Sequence, residues 1–92
     1  MDMSSLTINY DDCCNMNVTL ASVIAQHLHA FRECNVASPV GMDSDVWKGM
    51  LEQMENAFKT YAAKDGALDN DEKATVKDGM RLFIEHFDDF WY

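Results

Sequence analysis

Three cysteines and two histidines in the first half of the chain are the residues most able to bind a metal. They are Cys13, Cys14, His27, His29 and Cys34. Structural zinc sites usually separate the two ligands of a pair by two to four residues, and this set contains none of the familiar pairings. The number of cysteines is also odd. We therefore expect reduced thiols that behave as small buried hydrophobic residues, and no bound metal.

The segment from Asp65 to Glu72 resembles the second half of an EF-hand calcium loop. If Gly66 is the invariant glycine of that loop, Glu72 takes the position of the bidentate carboxylate. The first two carboxylate positions then fall on Tyr61 and Ala63, which carry no carboxylate. The segment therefore favours a capped acidic turn between two helices over a calcium site.

Histidine is also the commonest base of nucleophilic enzymes, and His27 lies on the apolar face of the first predicted helix. No serine or cysteine has a spacing that pairs with it, and His29 and His86 do not complete a triad. A single histidine at such a position is usually a hydrogen-bonded core residue. Because no set of nucleophile, base and oxyanion donors assembles, we expect no enzymatic activity and no cofactor.

The net charge is the most informative property of the chain. Sixteen acidic side chains against seven basic ones give a formal charge of −9 on 92 residues. Such a surface repels nucleic acid and anionic membranes and attracts basic proteins. We therefore expect a partner protein with a basic surface, no direct contact with nucleic acid and no membrane association.

The acidic residues concentrate on the third predicted helix and at the C-terminus. Three of them recur every seven residues on the helix face opposite the apolar side chains, and two more extend this line. Two aromatic residues follow, which the same core face cannot both bury. The sequence predicts a partner-binding face, with a solvated surface that keeps the protein soluble as the alternative. Its members are Asp71, Asp78, Glu85, Asp88, Asp89, Trp91 and Tyr92.

Three stretches of the chain repeat apolar residues in alternating steps of four and three, which is typical of one face of an α-helix. The predicted helices span about 17–34, 45–63 and 70–91, and residues 1–12 form an extension with strand-like alternation. We predict an all-α fold, a three-helix antiparallel bundle in a single domain of residues 1–92. The predicted core positions are Leu20, Ile24, His27, Phe31 and Cys34, then Trp47, Leu51, Met54, Phe58 and Tyr61, then Val76, Met80, Phe83, Phe87 and Phe90.

The predicted helix ends carry recognisable signals. Asp43 or Ser44 is expected to cap the second helix, and Gly66 suits its C-terminal end. Asp69 and Glu72 have the spacing of a capping box at the start of the third helix.

Charges on the second predicted helix are expected to cancel one another. Lys48 and Glu52, and again Glu55 and Lys59, are four residues apart and can form ion pairs along the helix.

The first predicted helix is unusual because residues 13–31 contain no charged side chain. A helix of this kind has no strongly solvated face. Two interpretations stay open: it is the central helix of the bundle, or its free face meets another chain. For the second interpretation we expect a homodimer contact at Ser22, Gln26 and His29.

Residues 1–5 do not show a basic region followed by an apolar stretch, so we expect a cytoplasmic protein without a secretory signal. The uncharged stretch of residues 13–31 contains asparagine, glutamine and histidine, which makes it too polar to span a membrane.

A likeness to a known group of proteins rests on core positions. The residues that carry it are Phe31 before the Pro39–Gly41 loop, then Trp47, Leu51, Met54, Ala57 and Phe58, then Gly79, Met80, Arg81, Leu82, Phe83, Phe87, Phe90 and Trp91. With these residues the chain resembles the short, acidic helical proteins that are common in tailed-phage and prophage genomes. The resemblance implies a helical fold more than an activity. Many such proteins inhibit host defences, as anti-CRISPR and anti-restriction proteins do, and some imitate DNA.

These observations predict a small, non-enzymatic, phage-encoded inhibitor of a host defence system. It would dock its acidic face on a basic surface, such as a nucleic-acid-binding groove, in the host cytoplasm. A toxin-neutralising immunity protein would show the same acidic helical surface and is one alternative. A module that sequesters a small nucleotide or a metal is the other, although excess acid disfavours an anionic ligand.

Overall fold

The computed structural model describes residues 15–34 and 38–90 of the chain. Within these residues the fold is entirely helical and contains no strand, which confirms the predicted all-α class with three helices. The predicted extension, residues 1–12, lies outside the described residues. The helices are α1 (Met16–Glu33), α2 (Ser44–Ala63) and α3 (Asn70–Glu85), followed by a short 3-10 helix (Phe87–Asp89).

Local capping residues fix where α2 and α3 begin. The carboxylate of Asp43 accepts a hydrogen bond from the backbone N–H of Asp45 at 2.8 Å, so Asp43 is the N-cap of α2. At α3 the Asp69 carboxylate accepts from the Glu72 N–H at 2.8 Å, and the Glu72 carboxylate accepts from the Asp69 N–H at 3.1 Å. The predicted capping box is therefore confirmed.

The C-terminal end of α2 is a Schellman turn. The Gly66 N–H donates to the Tyr61 carbonyl at 3.0 Å, and the Asp65 N–H donates to the Ala62 carbonyl at 3.2 Å. Both turn residues have a positive φ, 51° at Asp65 and 78° at Gly66. The turn therefore holds a non-glycine residue, Asp65, in the left-handed region, in addition to the predicted Gly66.

The second helix, α2, is the centre of the fold. Its side chains Trp47, Leu51 and Met54 are almost completely buried, as predicted. Both α1 and α3 pack on α2, while no described Cα atom of α1 lies within 8 Å of one in α3. The interpretation of the uncharged first helix as the central element is therefore wrong.

The face of α1 that packs on α2 also differs from the prediction. The buried residues are Ala21, Ala25 and Leu28, whereas Leu20 is 48 % exposed and both predicted core residues His27 and Cys34 are exposed. The predicted and the buried residues both have helical spacing. The prediction chose the series with the larger side chains. The two alanines are buried because their small size lets α1 approach α2 closely.

Aromatic side chains near the ends of α1 and α3 contact one another. The ring centroids of Phe83 and Phe90 are 5.2 Å apart, and Phe90 lies 5.6 Å from Phe31 of α1. Phe87, a predicted core residue, is 60 % exposed instead. Phe87 belongs to the 3-10 helix, because α3 ends at Glu85. Its ring still contacts Phe83, with centroids 5.6 Å apart, but the larger part of it is exposed.

Candidate partner-binding surface

The predicted acidic face exists on α3 but is partly neutralised. Asp71, Asp78 and Glu85 are all exposed. Arg81 lies between the last two, with Nη2 3.2 Å from an Asp78 oxygen and Nε 3.8 Å from a Glu85 oxygen. Exposed ion pairs of this kind contribute little stability, but they reduce the local negative potential. Asp71 has no ion pair within the described part of the chain.

The two lysines of α3 occupy a different side of the same helix from the acidic residues. Lys73 and Lys77 are four residues apart and share a face with Ile84, about a third of a turn away from the acidic residues. Apart from Arg81, which pairs with Asp78 and Glu85, the charges on these two sides of α3 are separated by sign. A cationic partner is therefore attracted to the acidic side of α3 and not to the side of the two lysines.

The two acids after α3 do not continue the line that the sequence predicted. Asp88 and Asp89 lie in the 3-10 helix, where the periodicity of α3 no longer applies. Nδ1 of His86 donates to the Asp89 carboxylate at 3.0 Å, and the His86 ring packs against Trp47 with centroids 5.4 Å apart. Asp89 is therefore held by a side chain that packs on the core, whereas Asp88 is exposed.

Two apolar side chains are exposed at this end of the molecule. Ile84 is 71 % exposed and Phe87 is 60 % exposed. The predicted aromatic anchors, Trp91 and Tyr92, lie outside the described residues. Phe87 was a predicted core residue, and the exposure of Ile84 was not predicted. Helical periodicity is a signal for Ile84, because it directly follows the core residue Phe83 and so faces away from the core.

The main polar cluster of the fold joins α1 to α2 and was not predicted. The carboxylate of Glu55 is buried, with 8 % of the residue exposed. One of its oxygens accepts from Arg32 Nε at 3.1 Å and Nη2 at 2.9 Å, and the other lies 3.2 Å from His29 Nδ1. The expected partner within α2, Lys59, does not pair with Glu55.

Two opposing effects set the ionisation of this cluster. Burial by itself raises the pKa of the Glu55 carboxyl, but the hydrogen bonds from Arg32 and His29 outweigh burial and hold the pKa below its ordinary value. The hydrogen bonds that Arg32 donates to the Glu55 carboxylate also raise the pKa of Arg32. The ion pair links α1 to α2 through the buried Glu55 and the partly exposed Arg32.

The residues predicted for self-association lie beside this cluster. Ser22, Gln26 and His29 line a cleft of about 510 Å³ between α1 and α2, together with Glu55 and Lys59. The Gln26 amide donates to the Ser22 hydroxyl at 3.2 Å. The three predicted residues are therefore brought together, on the polar side of α1.

An apolar groove of about 340 Å³ separates α1 from α3. Its walls come from Val23, Ile24 and Phe31 of α1 and from Phe83 and Phe90 at the other side. The predicted core histidine also faces this groove, where His27 Nδ1 donates to the Val23 carbonyl at 2.8 Å. His27 is therefore hydrogen-bonded as expected, but it is exposed.

In the segment from Asp65 to Glu72, which resembles half of an EF-hand loop, two carboxylates stabilise the start of α3. Asp69 and Glu72 form the capping box, and Glu72 also pairs with the Lys64 ammonium. The Glu72 N–H is the main reason that the pKa of the Asp69 carboxyl lies below its ordinary value. No group of three or more potential metal ligands gathers anywhere in residues 15–34 and 38–90.

Comparison with protein-family models, with curated proteins and with solved structures gives no match to this chain. The resemblance to phage proteins therefore stays a prediction. Among the described residues, no helix combines the length and the apolar character that crossing a membrane requires.

Proposed function

We propose that this protein is a small, acidic, non-enzymatic binding protein that docks the outer side of α3 on a basic surface of another protein. The observation that carries the proposal is the distribution of charge. Residues 65–92 contain eight acidic and three basic side chains, a net −5 of the chain's −9. Three of these acids are exposed on one side of α3. A charge concentrated in this way speeds encounter with a basic partner and rejects acidic ones.

The end of α3 adds apolar contact area to this charge. Ile84 and Phe87 are largely exposed, and the exposed Asp88 directly follows Phe87. Aromatic side chains at the centre of a contact, surrounded by polar groups, supply most of the affinity in protein interfaces. Phe87 is therefore the proposed apolar anchor, with Trp91 and Tyr92, which follow in the sequence. Ile84 lies on the side of α3 that carries Lys73 and Lys77 and is not part of the proposed contact.

In its finer form the proposal is a phage-encoded inhibitor of a host defence system that acts in the cytoplasm. Its support is the likeness of the sequence to short phage proteins and the sign of the charge, since nucleic-acid-binding grooves are basic. An antiparallel course of the three helices belongs to the same proposal. The contacts of Asn17 with Tyr61 and of Trp47 with His86 support it.

The test compares two charge reversals of equal size. Asp78→Lys alters the acidic side of α3, and Glu52→Lys makes the same change at an exposed position of α2. Each tagged variant and the wild type are used to capture partners from host cells, and the captured protein is purified for kinetics. We expect Asp78→Lys to slow association by about tenfold at low salt and to flatten its salt dependence, because steering depends on local charge.

Adding Glu85→Lys to Asp78→Lys should deepen the effect, while Glu52→Lys should associate almost as fast as the wild type. Equal rates for Asp78→Lys and Glu52→Lys would contradict an acidic docking face. The identity of the captured protein separates the candidate functions, since a defence nuclease indicates an inhibitor and a toxin indicates an immunity protein.

A further inference from the structure

The outer side of α1 carries a continuous exposed stripe that no other part of residues 15–34 and 38–90 covers. Its side chains recur in steps of four, three, four, three and four, and all are exposed. Three are large and apolar, with exposed fractions of 56 % at Met16, 48 % at Leu20 and 43 % at Val23. We call this set the outer stripe. Its members are Met16, Leu20, Val23, His27, Ala30 and Cys34.

The outer stripe is separate from the face that α1 buries against α2. That face consists of Ala21, Ala25 and Leu28, on the other side of the helix. The outer stripe instead continues into the apolar groove, since Val23 and His27 line both. Exposed apolar patches of this kind mark interaction sites, so the outer stripe is a second candidate binding surface within the described residues.

Charge decides which kind of molecule fits this surface. Residues 15–31 contain no charged side chain, whereas the whole chain carries −9. A basic partner gains nothing on this uncharged helix and is attracted to α3 instead. Two copies of the chain repel each other through most of their surfaces, but they can approach along α1 without bringing like charges together.

We propose that a second copy of this chain binds the outer stripe, so that α1 pairs with α1 of the partner in a two-fold symmetric dimer. The spacing of the stripe supports this, because alternating steps of four and three match an identical helix in a coiled-coil contact. The acidic side of α3 takes no part in the contact. The dimer therefore presents two acidic faces, and this surface goes beyond the docking function proposed above.

The size of the stripe sets the strength of the dimer. The 18 residues of α1 form a helix about 27 Å long, with an exposed strip about 10 Å wide. The area of this strip, about 270 Å², is smaller than the ~800 Å² that each partner contributes to a standard interface. We therefore expect a reversible dimer with a dissociation constant on the order of tens of micromolar.

Sedimentation velocity of the full chain over a wide range of concentration tests the proposal. We expect the wild type to change from monomer to dimer near tens of micromolar, and Leu20→Glu to stay monomeric at concentrations at least tenfold higher. Gln26→Glu is the matched control, because it adds the same charge to α1 on the polar cleft instead of the outer stripe. It should dimerise like the wild type.

A second variant guards against a folding defect in Leu20→Glu. Met16→Glu places an acid in the first turn of α1, where the helix dipole favours it, and Met16 is more than half exposed. With circular dichroism showing native helix content, this variant should also weaken the dimer. A wild type that is monomeric at all concentrations would overturn the proposal. So would a dimer that Gln26→Glu disrupts and Leu20→Glu does not, since this places the contact at the predicted cleft residues instead.

Discussion

At the scale of single residues, the ionisation of Glu55 is coupled to folding. It is the one buried charged residue in the described part of the chain, and Arg32 and His29 bind its two oxygens. Its pKa in the folded protein lies below its ordinary value, which is about 4.3 in an unfolded chain. Its contribution to stability is therefore present above about pH 4.3 and is lost as the pH falls through the lower, folded-state pKa.

Replacing this carboxylate by the amide of the same shape isolates the contribution. We expect Glu55→Gln to lower the free energy of unfolding by about 1–3 kcal/mol at neutral pH, because Arg32 loses a charged acceptor. The difference from the wild type should shrink as the pH falls and the wild-type carboxylate becomes protonated. Urea denaturation at about pH 7, 5 and 3.5 measures both effects across the unfolded-state pKa.

Glu52→Gln is the control, since Glu52 is exposed on the same helix one turn earlier. It should stay within about 0.5 kcal/mol of the wild type at each pH. If Glu55→Gln were as stable as the wild type at neutral pH, the ion pair would contribute nothing to the packing of α1 on α2.

At the scale of elements, the contact of α3 with α2 depends on one glycine. A Cβ atom added at Gly79 would overlap the Cβ of Ala57 and would lie 3.0 Å from the Gln53 carbonyl oxygen. Gly49, in the second turn of α2, is exposed and has no atom within 4 Å of the position of an added Cβ. The two helical glycines therefore have opposite roles, close packing at Gly79 and no packing at Gly49.

Gly79→Ala and Gly49→Ala should change stability in opposite directions. Alanine favours a helix over glycine by about 1 kcal/mol, so Gly49→Ala should raise the free energy of unfolding by up to that amount. At Gly79 the same gain is opposed by overpacking, which typically costs about 1–3 kcal/mol, so the net effect should be destabilising. Thermal and urea unfolding of both variants measures the difference. A stabilised Gly79→Ala would mean that α3 does not lie this close to α2.

The same elements show what sequence could and could not predict. The apolar face of α2 and the capping box of Asp69 and Glu72 depend on neighbours within one or two turns, and both were predicted. The rotation of α1 was not, because two apolar series share its length and only packing on α2 selects Ala21 and Ala25. The partner of Glu55 was missed for a similar reason, since Arg32 is 23 residues away in the sequence.

The candidate site divides in the same manner. The spacing of Asp71 and Asp78 places them on one exposed side of α3, as helical periodicity alone predicts. The exposure of Phe87 depends on where α3 stops, which is decided by the short 3-10 helix at Phe87–Asp89. The periodicity of a helix predicts the position of a residue only up to the end of that helix. It therefore does not apply to Asp88 and Asp89, which were predicted to extend the acidic line of α3.

At the scale of the whole molecule, charge and apolar surface are divided between the helices. The described residues of α1 carry one basic and one acidic side chain, Arg32 and Glu33, while residues 65–92 carry the largest excess of acid. The end of α3 is where this excess opposes folding, since its last turn contains Glu85 and no basic residue. A negative charge there is repelled by the carbonyl end of the helix dipole.

This distribution predicts that salt stabilises the monomer. Adding NaCl from about 10 mM to about 200 mM screens repulsion over the distances between surface charges, so the free energy of unfolding should rise.

Asp88→Asn removes an exposed charge beyond the end of α3, so this variant should be more stable than the wild type at low salt and should gain less from added salt. Asp71→Asn is the control at the opposite end, where the first turn of α3 favours an acid, and it should be less stable than the wild type. Urea unfolding at low micromolar protein, below the expected dimer range, measures both variants. A wild type that loses stability with added salt would mean that its ion pairs outweigh the repulsion between its acids.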